Sequence, residues 1–122
     1  MKLVTGFALL AMMTSQSFAL SLNDLVGKYE VSSNLIPTTN IITLDSKGGI
    51  TLVEKSVHGK LNCKGTSKLA SNKIASKLTC ENGLSFEQEI NMSNVTNFNA
   101  FTAPVYSTLF GQEIPMNFKK IK

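Results

Sequence analysis

Apolar and polar residues alternate along most of the chain after residue 25, a pattern that is typical of half-buried β-strands. The clearest case is the segment 73–90, in which two alternating runs flank Asn82-Gly83. A two-residue turn there would mix apolar and polar side chains on both faces. A three-residue loop over 81–83 places the apolar residues on one face and pairs charged residues on the other. The predicted cross-strand pairs are Cys80 with Leu84, Leu78 with Phe86, Ile74 with Ile90 and Lys77 with Glu87.

A second hairpin between residues 40 and 55 follows the same logic. Its two runs flank Ser46-Lys47-Gly48, and a three-residue loop again gathers the apolar residues on one face. Gly48 and Gly83 would each end their loop, where a left-handed backbone is needed and glycine adopts it without strain. Two hairpins closed in the same way favour an antiparallel meander. The predicted pairs are Leu44 with Ile50, Ile42 with Leu52 and Thr43 with Thr51.

The rest of the chain divides into shorter elements. Pro104 argues against a continuous central strand over 98–110, so we predict two short strands, or a strand and a loop. Pro115 indicates an edge position or a bulge in the last strand. The other predicted elements are a helical turn over 21–25 capped by Ser21, a first strand over 26–32, a loop over 34–39, a short strand over 58–64, a polar loop over 65–72, a connector over 91–97 and a last strand over 112–121.

Residues 1–19 have the composition of an export signal. Lys2 precedes an apolar run over 7–13, and Ser17-Phe18-Ala19 supplies the small residues that precede a signal-peptidase cut. The run is shorter than the ~20 residues that span a bilayer, although an N-terminal membrane anchor stays open as the alternative. We therefore predict a mature chain of residues 20–122 that forms a single β-barrel-like domain, has no membrane span and is periplasmic or secreted.

The chain has two cysteines, Cys63 and Cys80. In an exported protein an even number of cysteines predicts a disulfide. Two thiols are too few for a structural zinc site, and their spacing does not fit a C-x-x-C redox motif. The predicted fold class is therefore all-β: a small antiparallel meander barrel or sandwich of about eight strands with one disulfide.

The charge pattern bears on the class of partner. All 12 basic residues are lysine, against eight acidic residues, and the sequence has neither arginine nor tryptophan. Because arginine makes most bidentate contacts to phosphates and bases, we expect no nucleic-acid partner. The lysines concentrate over 60–77 and 119–122. They either attract an anionic partner or keep exposed strand edges from pairing with other chains.

The first predicted strand opens with Leu25-Val-Gly27-Lys28-Tyr29. With its eight or so short strands, the chain resembles the lipocalin-like (calycin) barrels, whose first strand carries a Gly-x-Trp motif. The resemblance implies that Gly27 and Tyr29 take the motif positions and that the Tyr29 ring plugs the closed end of a barrel. Small secreted metalloprotease inhibitors, which share a similar barrel with one disulfide, are a second analogy. Neither analogy by itself decides function.

Residues with catalytic chemistry are few. His58 is the single histidine, and a catalytic histidine needs an activated nucleophile beside it. Glu87 and Glu89 share one face of a predicted strand, roughly 7 Å apart, a separation that glycoside hydrolysis can use. Lys77 opposite Glu87 favours an exposed charge pair instead. We expect no metal site, no cofactor and no enzymatic activity.

The most apolar part of the predicted mature chain is 98–110. Its large side chains either pack in the core, line a ligand cavity or form a recognition loop. The leading hypothesis is an exported, non-catalytic, monomeric binding protein for a small apolar ligand or an envelope component. The alternative is a protein–protein interaction module, such as a secreted protease inhibitor or an envelope accessory factor. The candidate contact residues are Phe98, Phe101, Tyr106, Leu109 and Phe110.

Overall fold

A computed structural model describes residues 20–122. Within this range, eight antiparallel strands follow one another around a closed barrel, in which the last strand pairs with the first. The predicted all-β meander with one disulfide is confirmed, as a barrel and not a sandwich. The predicted export signal lies outside the described residues. The elements are α1 (Leu22–Leu25), β1 (Gly27–Ser33), β2 (Ile36–Leu44), β3 (Gly49–Ser56), β4 (Gly59–Ala70), β5 (Lys73–Cys80), β6 (Ser85–Asn91), β7 (Ala100–Ser107) and β8 (Gln112–Ile121).

Both predicted hairpins have the expected register. Leu78 lies opposite Phe86, and Ile42 lies opposite Leu52, so each hairpin turns its apolar face into the barrel. The two loops are closed by Gly83 and Gly48, each with a φ of +88°. The Gly83 N–H donates to the Cys80 carbonyl at 2.9 Å. The burial pattern together with the loop glycine was therefore enough to predict the register.

The predicted polar loop over 65–72 is wrong, and the strand predicted over 58–64 is present but longer than expected. β4 continues to Ala70, and the turn to β5 is only Ser71-Asn72. Both turn residues have positive φ, 53° and 62°, which is the two-residue hairpin turn that suits the twist of the flanking strands. The strand has a weak apolar signal here because Gly65 and Ser67 precede Leu69 at its inward positions. The buried Ser67 hydroxyl lies 2.7 Å from that of Ser76 on β5.

The prolines interrupt the strands less than predicted. β7 is one continuous strand, and Pro104 lies directly opposite Pro115 of β8. The pairing of β7 with β6 ends at Val105, and that of β8 with β1 ends at Asn117. Each proline thus lies beyond the ladder on the other side of its strand, so its missing N–H interrupts no pairing there. The same holds for Pro37, which belongs to β2 and not to a loop, because the pairing with β3 begins only at Thr39.

The two cysteines form the predicted disulfide. Cys63 and Cys80 lie directly opposite each other on β4 and β5, and both side chains are buried. The bond therefore links two strands that are already paired and contributes its sulfur atoms to the barrel interior.

The two ends of the barrel differ in construction. One end, called the closed end, carries α1 and the β2–β3, β4–β5 and β6–β7 loops. The predicted helical turn is confirmed there: the Ser21 N–H donates to the Asp24 carboxylate at 3.0 Å, and Leu25 is buried. The other end, called the open end, carries the β1–β2, β3–β4, β5–β6 and β7–β8 loops. The side chains that face the interior therefore differ between the two ends.

Candidate functional site

The closed end is filled by its own side chains. The buried Tyr29 hydroxyl donates to the Leu25 carbonyl at 2.8 Å, which ties β1 to the helical turn. The Phe101 ring packs edge-on against Tyr29 at 6.0 Å and stacks on Phe118 at 4.7 Å, both between ring centroids. Only about 20 Å³ of space remains among these residues. The closed end therefore leaves no room for a ligand among the side chains described.

Burial raises the pKa of the Tyr29 phenol above its ordinary value of 10.0. We expect Tyr29→Phe to destabilise the protein by about 1 kcal/mol at neutral pH, because the Leu25 carbonyl loses its buried partner. The stabilisation by the neutral phenol is fully present below pH 10 and is lost as the pH rises through the higher folded-state pKa. The advantage of wild type over the variant, measured by urea unfolding, should therefore shrink above pH 10. A constant difference across that range would contradict this role.

The open end leads into a cavity of about 110 Å³. Its walls are mainly apolar and come from all the strands of the barrel. Leu84, Leu109 and Phe110 both line the cavity and are exposed, so the cavity reaches the surface between them. The other lining residues are Val31, Asn40, Ile42, Leu52, Glu54, Leu61, Cys63, Cys80, Phe86, Gln88, Ile90, Val105, Ser107, Met116 and Phe118.

An apolar rim surrounds this mouth. Among residues 20–122, six large apolar side chains are exposed, and five of them lie on the loops of the open end, with at least one on each loop. By contrast, the long β6–β7 loop at the closed end turns Met92, Val95 and Phe98 towards the core. Exposed apolar side chains gathered in one place mark binding surfaces in soluble proteins. The rim consists of Leu35 (69% exposed), Val57 (95%), Leu84 (40%), Leu109 (50%) and Phe110 (38%).

Four polar side chains line the cavity from inward-facing strand positions, and one of them, Ser107, already accepts a hydrogen bond from the Leu109 N–H. Gln88 is only 6% exposed, and its Nε2 atom has no hydrogen-bond partner. The Oδ1 atom of Asn40 is likewise buried without a partner. Glu54 lies directly opposite Asn40 in the β2–β3 register and also lines the cavity. Since buried polar groups are nearly always hydrogen-bonded, these groups are suited to contact a guest molecule.

The residues of 98–110 that were proposed as one contact site are spread over the molecule. Phe98 and Phe101 pack at the closed end, and Leu109 and Phe110 belong to the rim. Tyr106 lies on the outer wall, in a surface groove with lysine and glutamate side chains. Only Leu109 and Phe110 therefore take part in the candidate site.

Two further predicted positions lie at the closed end. Tyr29 is the buried residue described above, and the Lys120 ammonium lies 5.8 Å from the centre of its ring. Gly27 has a φ of +149°, and a Cβ there would press on the Lys120 side chain. Their role is therefore structural in this barrel.

The residues weighed for catalysis are exposed. His58 lies on the β3–β4 loop, where its backbone N–H donates to the Ser56 hydroxyl at 3.2 Å. Glu87 and Glu89 are on the outer wall of β6, with Lys77 directly opposite Glu87 as predicted. Within residues 20–122, no three histidine, cysteine, aspartate or glutamate side chains are grouped to hold a metal ion. Residues 20–122 contain one helix, α1, and its four residues are too few to span a bilayer.

The sequence contains a signal for the cavity in the polar residues that occupy inward positions of its strands. Gln88 stands between Phe86 and Ile90, and Glu54 follows Leu52, each in the inward phase of its strand. A polar residue in an inward phase indicates either a buried hydrogen bond or a site. Asn40, in phase with Ile42, is the third such position.

Comparison with protein-family models, with curated proteins and with solved structures finds no match to this chain.

Proposed function

We propose that this is an exported, non-catalytic binding protein that takes a small, mainly apolar ligand through the open end of its barrel. The observation that best supports this proposal is that one end of the barrel is filled and the other is open. One end is plugged by α1 and the aromatic side chains around Tyr29. The other has an apolar cavity, an apolar rim and convergent polar groups. An apolar pocket with a few polar groups is the usual composition of a small-ligand site.

The cavity volume limits the ligand. An apolar cavity of about 150 Å³ is enough to bind benzene, whereas drug-sized ligands need roughly 300 Å³ or more. At about 110 Å³, this cavity is smaller than the benzene-binding one but open at its mouth, so it takes a short alkyl chain or one ring that reaches partly into the mouth. The rest of a larger ligand would lie against Leu84, Leu109 and Phe110, which line the cavity at its mouth and are exposed to solvent.

Location and kinship are further parts of the proposal. A disulfide persists mainly outside the cytosol, which supports export, and the leader-like residues 1–19 point the same way. The eight-stranded barrel, with Tyr29 buried at one end, supports kinship with lipocalin-like proteins. We propose a monomer, in which the rim stays free for the ligand.

Binding can be tested with benzyl alcohol, a neutral ring of suitable size. In ¹H–¹⁵N correlation spectra, titration should shift the amide signals of Leu84, Gln88 and Val105, which line the cavity. The signals of Leu25 and Ile74 at the filled end should stay unchanged. Val105→Phe should reduce the affinity at least about tenfold, since the larger ring fills the cavity.

Tyr106→Ser is the matched control, because it removes an exposed aromatic ring next to Val105 but on the outer wall. It should leave the affinity unchanged. Circular dichroism would confirm that both variants fold. If saturating benzyl alcohol shifts no cavity signal, or if the folded Val105→Phe variant binds as wild type does, the ligand-binding proposal is wrong.

The apolar rim supports a second candidate, a protein–protein interaction module such as a protease inhibitor or an envelope accessory factor. Leu35 and Val57 are the most exposed rim residues and do not line the cavity. A Leu35→Ser and Val57→Ser double variant should therefore keep benzyl alcohol binding but lose a protein partner. Cross-linking in the source organism, compared between wild type, this variant and Tyr106→Ser, distinguishes the two functions.

A further inference from the structure

We infer that the ligand of this cavity is a small apolar amine, held by its ammonium or amino group at the wall formed by Glu54 and Asn40. The inference rests on the proposed ligand-binding function and adds the chemical class of the ligand. Two observations support it. The one charged side chain in the cavity lining is negative, and hydrogen-bonding atoms without a partner lie on the cavity wall.

The charge of the cavity disfavours anionic ligands. Among the described residues that line it, Glu54 alone carries a charge, and none is a lysine. The nearest lysine in sequence, Lys55, is exposed on the outer wall because strand side chains alternate. A carboxylate or phosphate in this cavity would meet a like charge in a weakly solvated site, whereas an ammonium group would be attracted. A fatty acid is therefore a poor fit.

The buried polar atom that has no partner on this wall is an acceptor, as are the oxygen atoms of the Glu54 carboxylate. The buried Oδ1 atom of Asn40 has no hydrogen-bond partner, and the Glu54 carboxylate stands directly opposite on the neighbouring strand. An ammonium group has three donors and no acceptor, so it can satisfy both side chains at once. A hydroxyl group has a single donor and satisfies only one of them. This is why an amine is favoured over an alcohol.

The opposite wall supplies a donor. Gln88 lies on β6, four strands away from β2 around the eight-strand barrel, and its buried Nε2 atom has no partner. The Nε2 group can donate a hydrogen bond to the face of an aromatic ring of the ligand, or to an oxygen atom that the ligand carries away from its amine. The ligand would thus lie across the barrel, with its amine against β2 and β3 and its body against β6.

Benzylamine, benzyl alcohol and benzoate have the same ring but differ in charge, so a comparison of their affinities shows the effect of the charge. Calorimetry at neutral pH should give benzylamine an affinity at least about tenfold above that of benzoate, consistent with a hydrogen bond to a charged group. Benzyl alcohol should fall between them. Glu54→Gln should lower the benzylamine affinity about tenfold and leave benzyl alcohol nearly unchanged. Asn40→Leu should also weaken benzylamine binding.

Glu30→Gln is the charge-matched control, since it removes a carboxylate from the outer wall of β1 and should not affect benzylamine. If Glu30→Gln weakens benzylamine as much as Glu54→Gln does, the attraction is a general effect of net charge and the inference is wrong. If benzyl alcohol binds but benzylamine binds no better than benzoate, the amine class is wrong while the binding function stands. If none of the three binds, both are wrong.

Discussion

Replacing Cys63 and Cys80 together by alanine should lower the free energy of unfolding by about 3 kcal/mol. The disulfide closes a segment with a sequence separation of 17 residues, and its main effect is to restrict the unfolded chain. In the folded state, β4 and β5 remain paired through seven further residue pairs, from Lys64 with Thr79 to Ala70 with Lys73. The variant should therefore fold to the same barrel with a lower urea midpoint.

Wild type unfolded in the presence of a strong reductant is the matched comparison. It should lose slightly less stability than the double alanine variant, because both lose the cross-link but the reduced wild type keeps its buried sulfur atoms. The variant itself should not respond to the reductant. A wild type whose urea midpoint is unchanged by full reduction, verified by thiol titration, would show that the disulfide contributes nothing to stability.

The parts of the fold that could be predicted are those in which local rules agree. In the 73–90 hairpin, the apolar alternation, the loop length and Gly83 all favour one register, and the structure has it. The second half of β4 could not be predicted in this way. Its inward positions carry Gly65 and Ser67 before Leu69, so a single apolar residue is too little to show an alternation. This part of the strand is held by pairing with β5, and with β3 only as far as Thr66.

The candidate site was harder to predict than the fold, because it depends on barrel closure. Asn40, Glu54 and Gln88 lie on three strands, and nothing local to any of them shows that they face one cavity. Closure also decides which end is filled. Phe101 and Leu109 belong to the same apolar segment, yet one completes the aromatic plug and the other lies at the mouth. Composition alone could not separate these roles.

Gly65→Ala should destabilise the protein by about 2–3 kcal/mol, although a single methyl group is added. Gly65 faces inward on β4, directly opposite Leu78 of β5, and a Cβ there would overlap the Lys77 carbonyl. Backbone atoms cannot move aside as a flexible side chain does, so the two strands would have to separate. The loss can be measured as a shift of the urea midpoint at constant slope.

The sign of the change in unfolding free energy distinguishes an effect on packing in the folded state from an effect on the entropy of the unfolded chain. Where alanine fits, replacing glycine stabilises a protein by about 0.4–1 kcal/mol, because it restricts the unfolded chain. A loss at Gly65 therefore has the opposite sign and reports the close approach of β4 and β5. Thr66→Ala, one position along on the exposed face, should change stability by no more than about 0.5 kcal/mol. A neutral or stabilising Gly65→Ala would contradict the close approach of β4 and β5 at this point.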